Sequence, residues 1–511
     1  MNTAPERVAH VAVEAEGISF ESSRADVKPE VRPEWLFVAV LIFIVAILYI
    51  VTLTPGHVFV NDDFAAYIMH AKNLVEGRTY SDIRYVPNPD AMWLSPANGY
   101  PPIYPMILAT VYRFFGLDLR AFKIVTALCF VGFLAIYAKM ALDAIGWKSS
   151  ICLLALVSFS PVFWEQREFI LSEFPYLLFS FAALLFIERV YTRLEVKQIE
   201  VGSALGVSVL LYCAYGTRTI GFVLIFALIA ADLMKFRRPS RFLLCVLALT
   251  GMFIAAQTLL LVSPKGYASA FHFSLHTVTT NLIYYGKCLS YVWANGFNKG
   301  VQIVFALLFT AAAALGFLKS LWRERGVKEF YLLGYVCVLL AWNSEIGLRG
   351  LLPILPLYFF YGVREWIRLC EARLPVRLIA AGTLIGLATL SYAGEIRHQS
   401  TLPAEPNVAD ADAAKMFAFV QQHTKPEDLL VFPKPRTLAL FTGRRVAALS
   451  PEQSETQSLA FLRACHATVL IDADWSAVRV NGESAELGGQ EIFRAGAYHA
   501  YRLNSTANAG N

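Results

Sequence analysis

Two adjacent carboxylates, Asp62 and Asp63, follow directly on a hydrophobic span in the stretch from Val60 to Gly77. A carboxylate in a water-poor site can take the proton of a hydroxyl, pair with a cation or ligate a divalent ion. The spacing of Phe64, Tyr67, Ile68 and Leu74 predicts a helix that Asn61 can cap, with both aspartates in its first turn. Such residues also complement a helix dipole without reacting, so position alone leaves both readings open.

The elements that hold this pair belong to a membrane. Of 511 residues, 57% are hydrophobic and only 16% charged, which excludes a soluble globule and predicts an α-helical polytopic membrane protein. The net charge of +5 is small and falls mostly in short loops, where it speaks to topology and not to nucleic acid. The eight cysteines show neither metal-ligand spacing nor a disulfide framework. Residues 1–34 are polar and lead into an uncleaved anchor.

Apolar spans begin near residues 35, 119, 149, 168, 199, 217, 240, 301, 328, 349 and 376, about eleven crossings within a transmembrane domain over 35–398. Pro101 to Gly116 is apolar enough to make one more. Leaving it on the surface places the clusters at Arg189/Arg193/Lys197, Lys235/Arg237/Arg238/Arg241, Lys319/Arg323/Arg325/Lys328 and Arg364/Arg368/Arg373/Arg377 together on the cytoplasmic side, as the excess of cations in cytoplasmic loops requires. The expectation is therefore a multi-pass protein of the inner membrane with a cytoplasmic N-terminus. Loops 55–118 and 263–300 then face outward, as does a soluble α/β domain over 399–511 with strands near Leu429–Phe432 and Thr468–Ile471. Loop 263–300 reads as an interfacial amphipathic helix, rich in aromatics, with Lys265 and Lys287 free to meet phosphate. His272 and His276 share a helix face there, but no third metal ligand is spaced with them.

In this topology the charges at span edges all reach the outer face: Asp62/Asp63, Glu165/Arg167/Glu168 with Glu173 one turn deeper, Arg218 and Glu345/Arg349. Charge in apolar flanks is expensive and marks a cavity or a set of ion pairs, and a shared polar chamber is the expectation.

The order of these features resembles the GT-C glycosyltransferases, in the branch of protein O-mannosyltransferases and lipid A aminoarabinose transferases. The resemblance spans nearly the whole chain. Asp62-Asp63 with Tyr67, Ala71 and Gly77 is similar to the acidic pair of the family's first outer loop, with Asp in place of the usual second Glu. Tyr100-Pro101-Pro102-Ile103-Tyr104-Pro105 resembles the segment that opens its surface helix. Ser160-Pro161 with Leu171-Ser172-Glu173-Phe174-Pro175, and Thr217-Arg218-Thr219-Ile220-Gly221, resemble the starts of later spans. Arg349-Gly350-Leu351-Leu352-Pro353 is similar to an Arg-Tyr-Leu-Leu-Pro motif with Gly for Tyr.

The resemblance implies a transferase that moves a sugar, with inversion, from a polyprenyl-phosphate donor to a hydroxyl of a lipid, glycan or protein acceptor outside the cytoplasm. It implies Asp62 as general base, matching the family's first acid, and Asp63 as its orienter or as a ligand of acceptor or metal, since neighbours on a helix point about 100° apart. Arg218 and Arg349, with Lys265 or Lys287, would hold the departing phosphate, and Glu173 and Tyr100 would bind substrate. No cofactor is implied; the adjacent aspartates could ligate a divalent ion, but no further ligand of such a shell is visible in the sequence. Two other classes fit the composition, a lipid-linked polysaccharide polymerase or ligase and a transporter or flippase of lipid-linked sugars, although no repeat or midplane charge supports transport.

Overall fold

The computed structural model describes residues 33–60, 62–89, 99–193, 201–261, 274–294, 298–342, 346–369, 374–476 and 489–503. It is a bundle of apolar helices with a small sheet domain packed on one end. Helices α1 (Pro33–Val51), α4 (Leu119–Ile145), α5 (Trp147–Ser158), α7 (Glu173–Arg193), α8 (Val201–Thr217), α9 (Phe222–Phe236), α10 (Arg241–Leu260), α12 (Lys299–Arg323), α13 (Val327–Ala341), α15 (Leu355–Leu369) and α16 (Leu374–Gln399) stand where the apolar spans are expected. With the one-turn 3₁₀ segment Thr219–Gly221 joined to α9, six of these are long and apolar enough to cross a bilayer: Glu34–Val51, Leu119–Ile145, Glu173–Arg193, Thr219–Phe236, Arg241–Leu260 and Lys299–Arg323. The protein is an integral membrane protein.

The shorter helices at this end are α2 (Asp63–Glu76), α3 (Ile103–Phe115), α6 (Pro161–Gln166), α11 (Leu275–Tyr291) and the single turn α14 (Leu348–Leu351). Helix α3 lies against α2, where the Tyr104 ring meets that of Tyr67 at 5.0 Å, while its Met106, Phe114 and Phe115 point outward. Helix α2 ends at Gly77, whose φ of 67° lets the chain turn back at a conformation that costs a side-chain-bearing residue more.

The C-terminal domain carries α17 (Ala411–His423), β1 (Leu429–Val431), α18 (Pro435–Thr442), β2 (Arg445–Ala447), α19 (Glu455–Ala464), β3 (Val469–Ala473), β4 (Gln490–Ala495) and β5 (Tyr498–Arg502). The sheet order is β2-β1-β3-β5-β4, parallel among the first three strands and antiparallel in the β3-β5-β4 part. Two strands are legible from hydropathy; β2 has only three residues, and the β4–β5 hairpin is half-polar.

The loop that follows α1 and this domain are one packed body. Tyr85 bridges Val446 at the free edge of β2, with backbone N–H···O bonds of 2.9 Å in both directions, so the loop adds a short strand to the sheet. Phe59 N–H donates to the Pro406 carbonyl at 3.0 Å and Val408 N–H to that of His57 at 2.9 Å. Phe59, Phe64 and Ile83 from the loop share a core with Met416, Phe432 and Val446 from the domain. Burial of that shared apolar surface is what docks the domain on the bundle.

Candidate active site

Five charged side chains converge where the bundle meets the domain, each delivered by a different element. Asp63 opens α2; Glu173 opens α7 just after Ser172; Arg218 lies in an extended residue between α8 and the 3₁₀ turn. Arg349 sits on α14, a turn made possible by Gly347 at φ 66°, ψ −158°, a region closed to most side chains. Arg436, from α18, is the fifth.

Asp63 Oδ2 accepts from Arg349 Nη1 at 2.7 Å, and its Oδ1 accepts from Arg436 Nη1 at 2.9 Å and from the Tyr100 hydroxyl at 2.5 Å. Arg349 also donates through Nε to Glu173 Oε1, an atom shared with Arg218 Nη1. The result is a continuous chain, Arg436–Asp63–Arg349–Glu173–Arg218. Tyr67 closes it from beneath, its hydroxyl 2.9 Å from Ser172 Oγ and its ring 4.3 Å from that of Tyr100. Tyr100 is held in turn by His70. Its N–H donates to His70 Nε2 at 3.2 Å while His70 Nδ1 donates to the Tyr80 carbonyl at 2.7 Å, which fixes the tautomer. Burial lowers the His70 pKa to about 4, so the ring stays neutral.

A carboxylate oxygen in this network is open. Glu173 is 1% exposed, yet its Oε2 has no hydrogen-bond partner among the described residues. Arg349, Arg218 and Asp63 keep side-chain exposures of 24%, 20% and 19%, so the chamber is not sealed. A polar partner such as a sugar hydroxyl would satisfy the orphaned oxygen.

The two aspartates point to different tasks. Asp62 leaves the chamber and caps α18: its Oδ2 accepts from Arg436 N–H at 3.1 Å, and its Oδ1 from Thr437 N–H at 2.7 Å and Thr437 Oγ1 at 2.5 Å. These are the second and third donors of a helix whose first residue, Pro435, has none to offer, so Asp62 acts as an N-cap supplied from another part of the chain. Burial raises the Asp62 pKa over the opposing effects of Arg436 and Thr437. At Asp63 burial also pushes upward, but Arg349, then Arg436 and the Tyr100 hydroxyl, outweigh it and hold the carboxyl well below the usual range. In this geometry Asp63 faces the chamber and Asp62 turns aside toward α18.

Other expected members separate from the site. Arg167 and Glu168 form a staple with Lys123, whose Nζ meets Glu168 Oε2 at 2.9 Å and the Thr54 carbonyl at 3.0 Å, with the Arg167 guanidinium 4.0 Å over the Trp164 ring. Lys287 is exposed on α11 and takes no part in the ion network, and His276 is exposed as well. Lys265, His272 and Glu345 lie outside the described residues. A divalent ion does not fit: Asp62 and Asp63 diverge, Asp63 is covered by two guanidinium groups, and no group of three His, Cys, Asp or Glu residues gathers among the described residues.

Arg436 is the residue that sequence reasoning misses. It lies in a soluble segment about 370 positions from the aspartates, with no spacing to link them, and it is 1% exposed. Its one sequence-level signal is the run Lys434-Pro435-Arg436-Thr437, a helix start with Pro at its first position.

No family model matches the sequence, and no curated protein does. Among solved structures the chain is similar to ArnT from Cupriavidus metallidurans bound to undecaprenyl phosphate, at 11% identity and a TM-score of 0.56, covering 93% of this chain and 99% of that one. It is similar to the apo oligosaccharyltransferase of Archaeoglobus fulgidus at 11% identity and a TM-score of 0.56, covering 86% and 69%. A mutant of the arabinofuranosyltransferase AftD from Mycobacteria matches at 13% identity and a TM-score of 0.54, covering 92% of this chain and 42% of AftD. The chain shares the fold of these structures, a polytopic helical bundle with a small sheet domain.

Proposed function

We propose that this protein is an inverting glycosyltransferase that moves a sugar from a polyprenyl-phosphate donor to a hydroxyl acceptor at the non-cytoplasmic face. The observation that carries the proposal is the chain Arg436–Asp63–Arg349–Glu173–Arg218, partly open and set at the edge of a GT-C bundle. Neighbours of the same fold, solved with undecaprenyl phosphate and with dolichol phosphate bound, support the donor class.

The chemistry follows from charge competition. An acceptor hydroxyl is a poor nucleophile until a carboxylate takes its proton. We assign that task to Asp63, with Asp62 holding the domain that brings Arg436. In the free protein three donors make Asp63 a weak base. An incoming lipid phosphate competes for Arg349 and adds a negative charge nearby, and both effects raise the proton affinity of Asp63. Arg349 and Arg218 then meet the charge that grows on the departing phosphate, in a site where water screens little. Glu173 holds both arginines through Oε1 and offers Oε2 to the sugar or acceptor.

The test is turnover of a polyprenyl-phosphate sugar by purified protein, scored as release of the lipid phosphate and gain of sugar by an acceptor. Release that survives Asp63→Asn in a folded protein would refute the assignment of the base. Absence of any transfer, with lipid moved between leaflets instead, would favour a flippase.

A further inference from the structure

A second charged cavity lies at the opposite end of the bundle. Helix α7 runs from Glu173 in the chamber to Glu188 and Arg189, roughly 22 Å further along its axis. There a cavity of about 320 Å³ opens between α4, α7, α13 and α15, lined by Asp143, Glu188, Arg189 and Lys328 over an apolar floor that includes Tyr137, Leu185 and Phe360. Most of its charge is already balanced. Lys328 Nζ lies 3.3 Å from Glu188 Oε1 and 3.6 Å from Glu324, which Arg364 also binds, and Asp143 pairs with Lys139. Two functions remain unengaged among the described residues: the Arg189 guanidinium, which makes no ion pair, and Oε2 of the half-exposed Glu188.

A separate apolar groove of about 520 Å³ runs between α4, α7 and α8 past Phe186, Gly202, Leu205 and Val209. Leu185 and Arg189 line both spaces. The combination is a small polar cup, in which an unpaired guanidinium stands beside a carboxylate held by Lys328 through one oxygen only, adjoining a hydrocarbon-sized trough between apolar helices.

We infer that this is a binding site for a glycerophospholipid whose head group carries a phosphate and a primary ammonium, the phosphate meeting Arg189, the ammonium meeting Glu188 and an acyl chain lying in the groove. A purely anionic head would satisfy Arg189 but bring like charge to the second oxygen of Glu188, and a head without N–H donors would leave that Oε2 unbonded. A free phosphoester has nothing to place in the groove.

Native mass spectrometry of the full-length protein, released from detergent with equal amounts of phosphatidylethanolamine, phosphatidylglycerol and phosphatidylcholine, tests the assignment. The wild type should retain the ethanolamine lipid in preference to the other two. Arg189→Gln should lower its occupancy about tenfold, the loss expected for one charge-assisted contact, and Glu188→Gln should erase the preference over phosphatidylglycerol. Gly202→Trp provides a second, purely steric probe. A Cβ at Gly202 meets open space, so the indole can fill the groove without striking backbone, and occupancy by every lipid should fall while helicity is unchanged. Free phosphoethanolamine at the same concentration should not compete. Wild-type preference for phosphatidylglycerol or phosphatidylcholine, competition by free phosphoethanolamine, or occupancy unaltered by both Arg189→Gln and Gly202→Trp would each overturn the site.

Discussion

Two ion clusters sit at the end of the bundle that meets the sheet domain, and by residue type they are nearly interchangeable. In the staple, Lys123 is 1% exposed and bonds Glu168 and the Thr54 carbonyl, while Glu168 accepts from Thr54 Oγ1 at 2.6 Å and forms an ion pair with Arg167 at 3.2 Å. Its donors and acceptors answer one another locally. In the chamber, Asp63, Glu173 and three arginines are drawn from five distant elements; Asp63, Arg218 and Arg349 remain partly exposed, and Glu173 Oε2 has no partner among the described residues. A cluster that is closed upon itself holds helix ends together. One with unspent bonding capacity, at a junction of many elements, is built to receive a guest.

The largest effect that could break this contrast is at Asp63. Replacement by Asn should lower kcat about 10²–10⁴-fold, the usual worth of general-base help, with the thermal transition retained; turnover within threefold of the wild type would place the base elsewhere. Next comes Arg436→Ala, which removes one of the three donors to Asp63. It should cost at least about tenfold in kcat/KM, as expected for the loss of a charge-assisted contact. Arg436→Lys should recover little of that loss, because one ammonium cannot reproduce the guanidinium contact to Asp63 and the stacking near Tyr85 and Tyr100.

The staple should answer in the opposite currency. Glu168→Gln leaves Lys123 buried without its counter-charge and should destabilise by about 1–3 kcal/mol, read from thermal or denaturant unfolding, while kcat stays within about twofold. Asp62→Ala lies between the two. Loss of the cap on α18 should cost about 1 kcal/mol and lower activity less than Asp63→Asn does, through a looser Arg436.

The smallest effect is in pH. Because Asp63 is held below its ordinary value in the free protein, its contribution to stability is present above the unfolded-state pKa of about 3.9 and is lost as pH falls through the lower folded value. The acid limb of kcat/KM, which reports the free enzyme, should therefore lie below that of an ordinary aspartate. The limb of kcat, which reports the complex, should lie higher if phosphate draws Arg349 away. Coincident limbs would count against charge competition.

Much of the fold was legible because membrane helices announce themselves by composition. The apolar runs locate the helices, and Asp63, Glu173, Arg218 and Arg349 stand out as charges at span edges, where each is costly. What could not be read was which charges share a space. Arg167 and Glu168 carry the same signal as Glu173 a few residues later, but the turn after α6 sends them toward α4 and Thr54. Nor does adjacency tell Asp62 from Asp63. Their difference is set by α18, a segment whose position depends on long-range sheet packing and leaves no local trace. The β4–β5 hairpin had a weak trace, Tyr498 and Ala500 alternating with polar neighbours, and was missed for want of a strongly apolar run.

The contact between Asp63 and Arg436 spans 373 positions, and this has a consequence for biosynthesis. At about 5–20 residues per second, the loop bearing the aspartates is made some 20–75 s before the arginine that completes its surroundings. Until then Asp62 has no α18 to cap, and Asp63 lacks one of its donors. A nascent chain thus carries an unfinished centre through membrane insertion, and competence arrives only when the later-made sheet domain docks. Pulse-labelled ribosome-bound chains stopped before residue 430 should accordingly be inserted yet inactive.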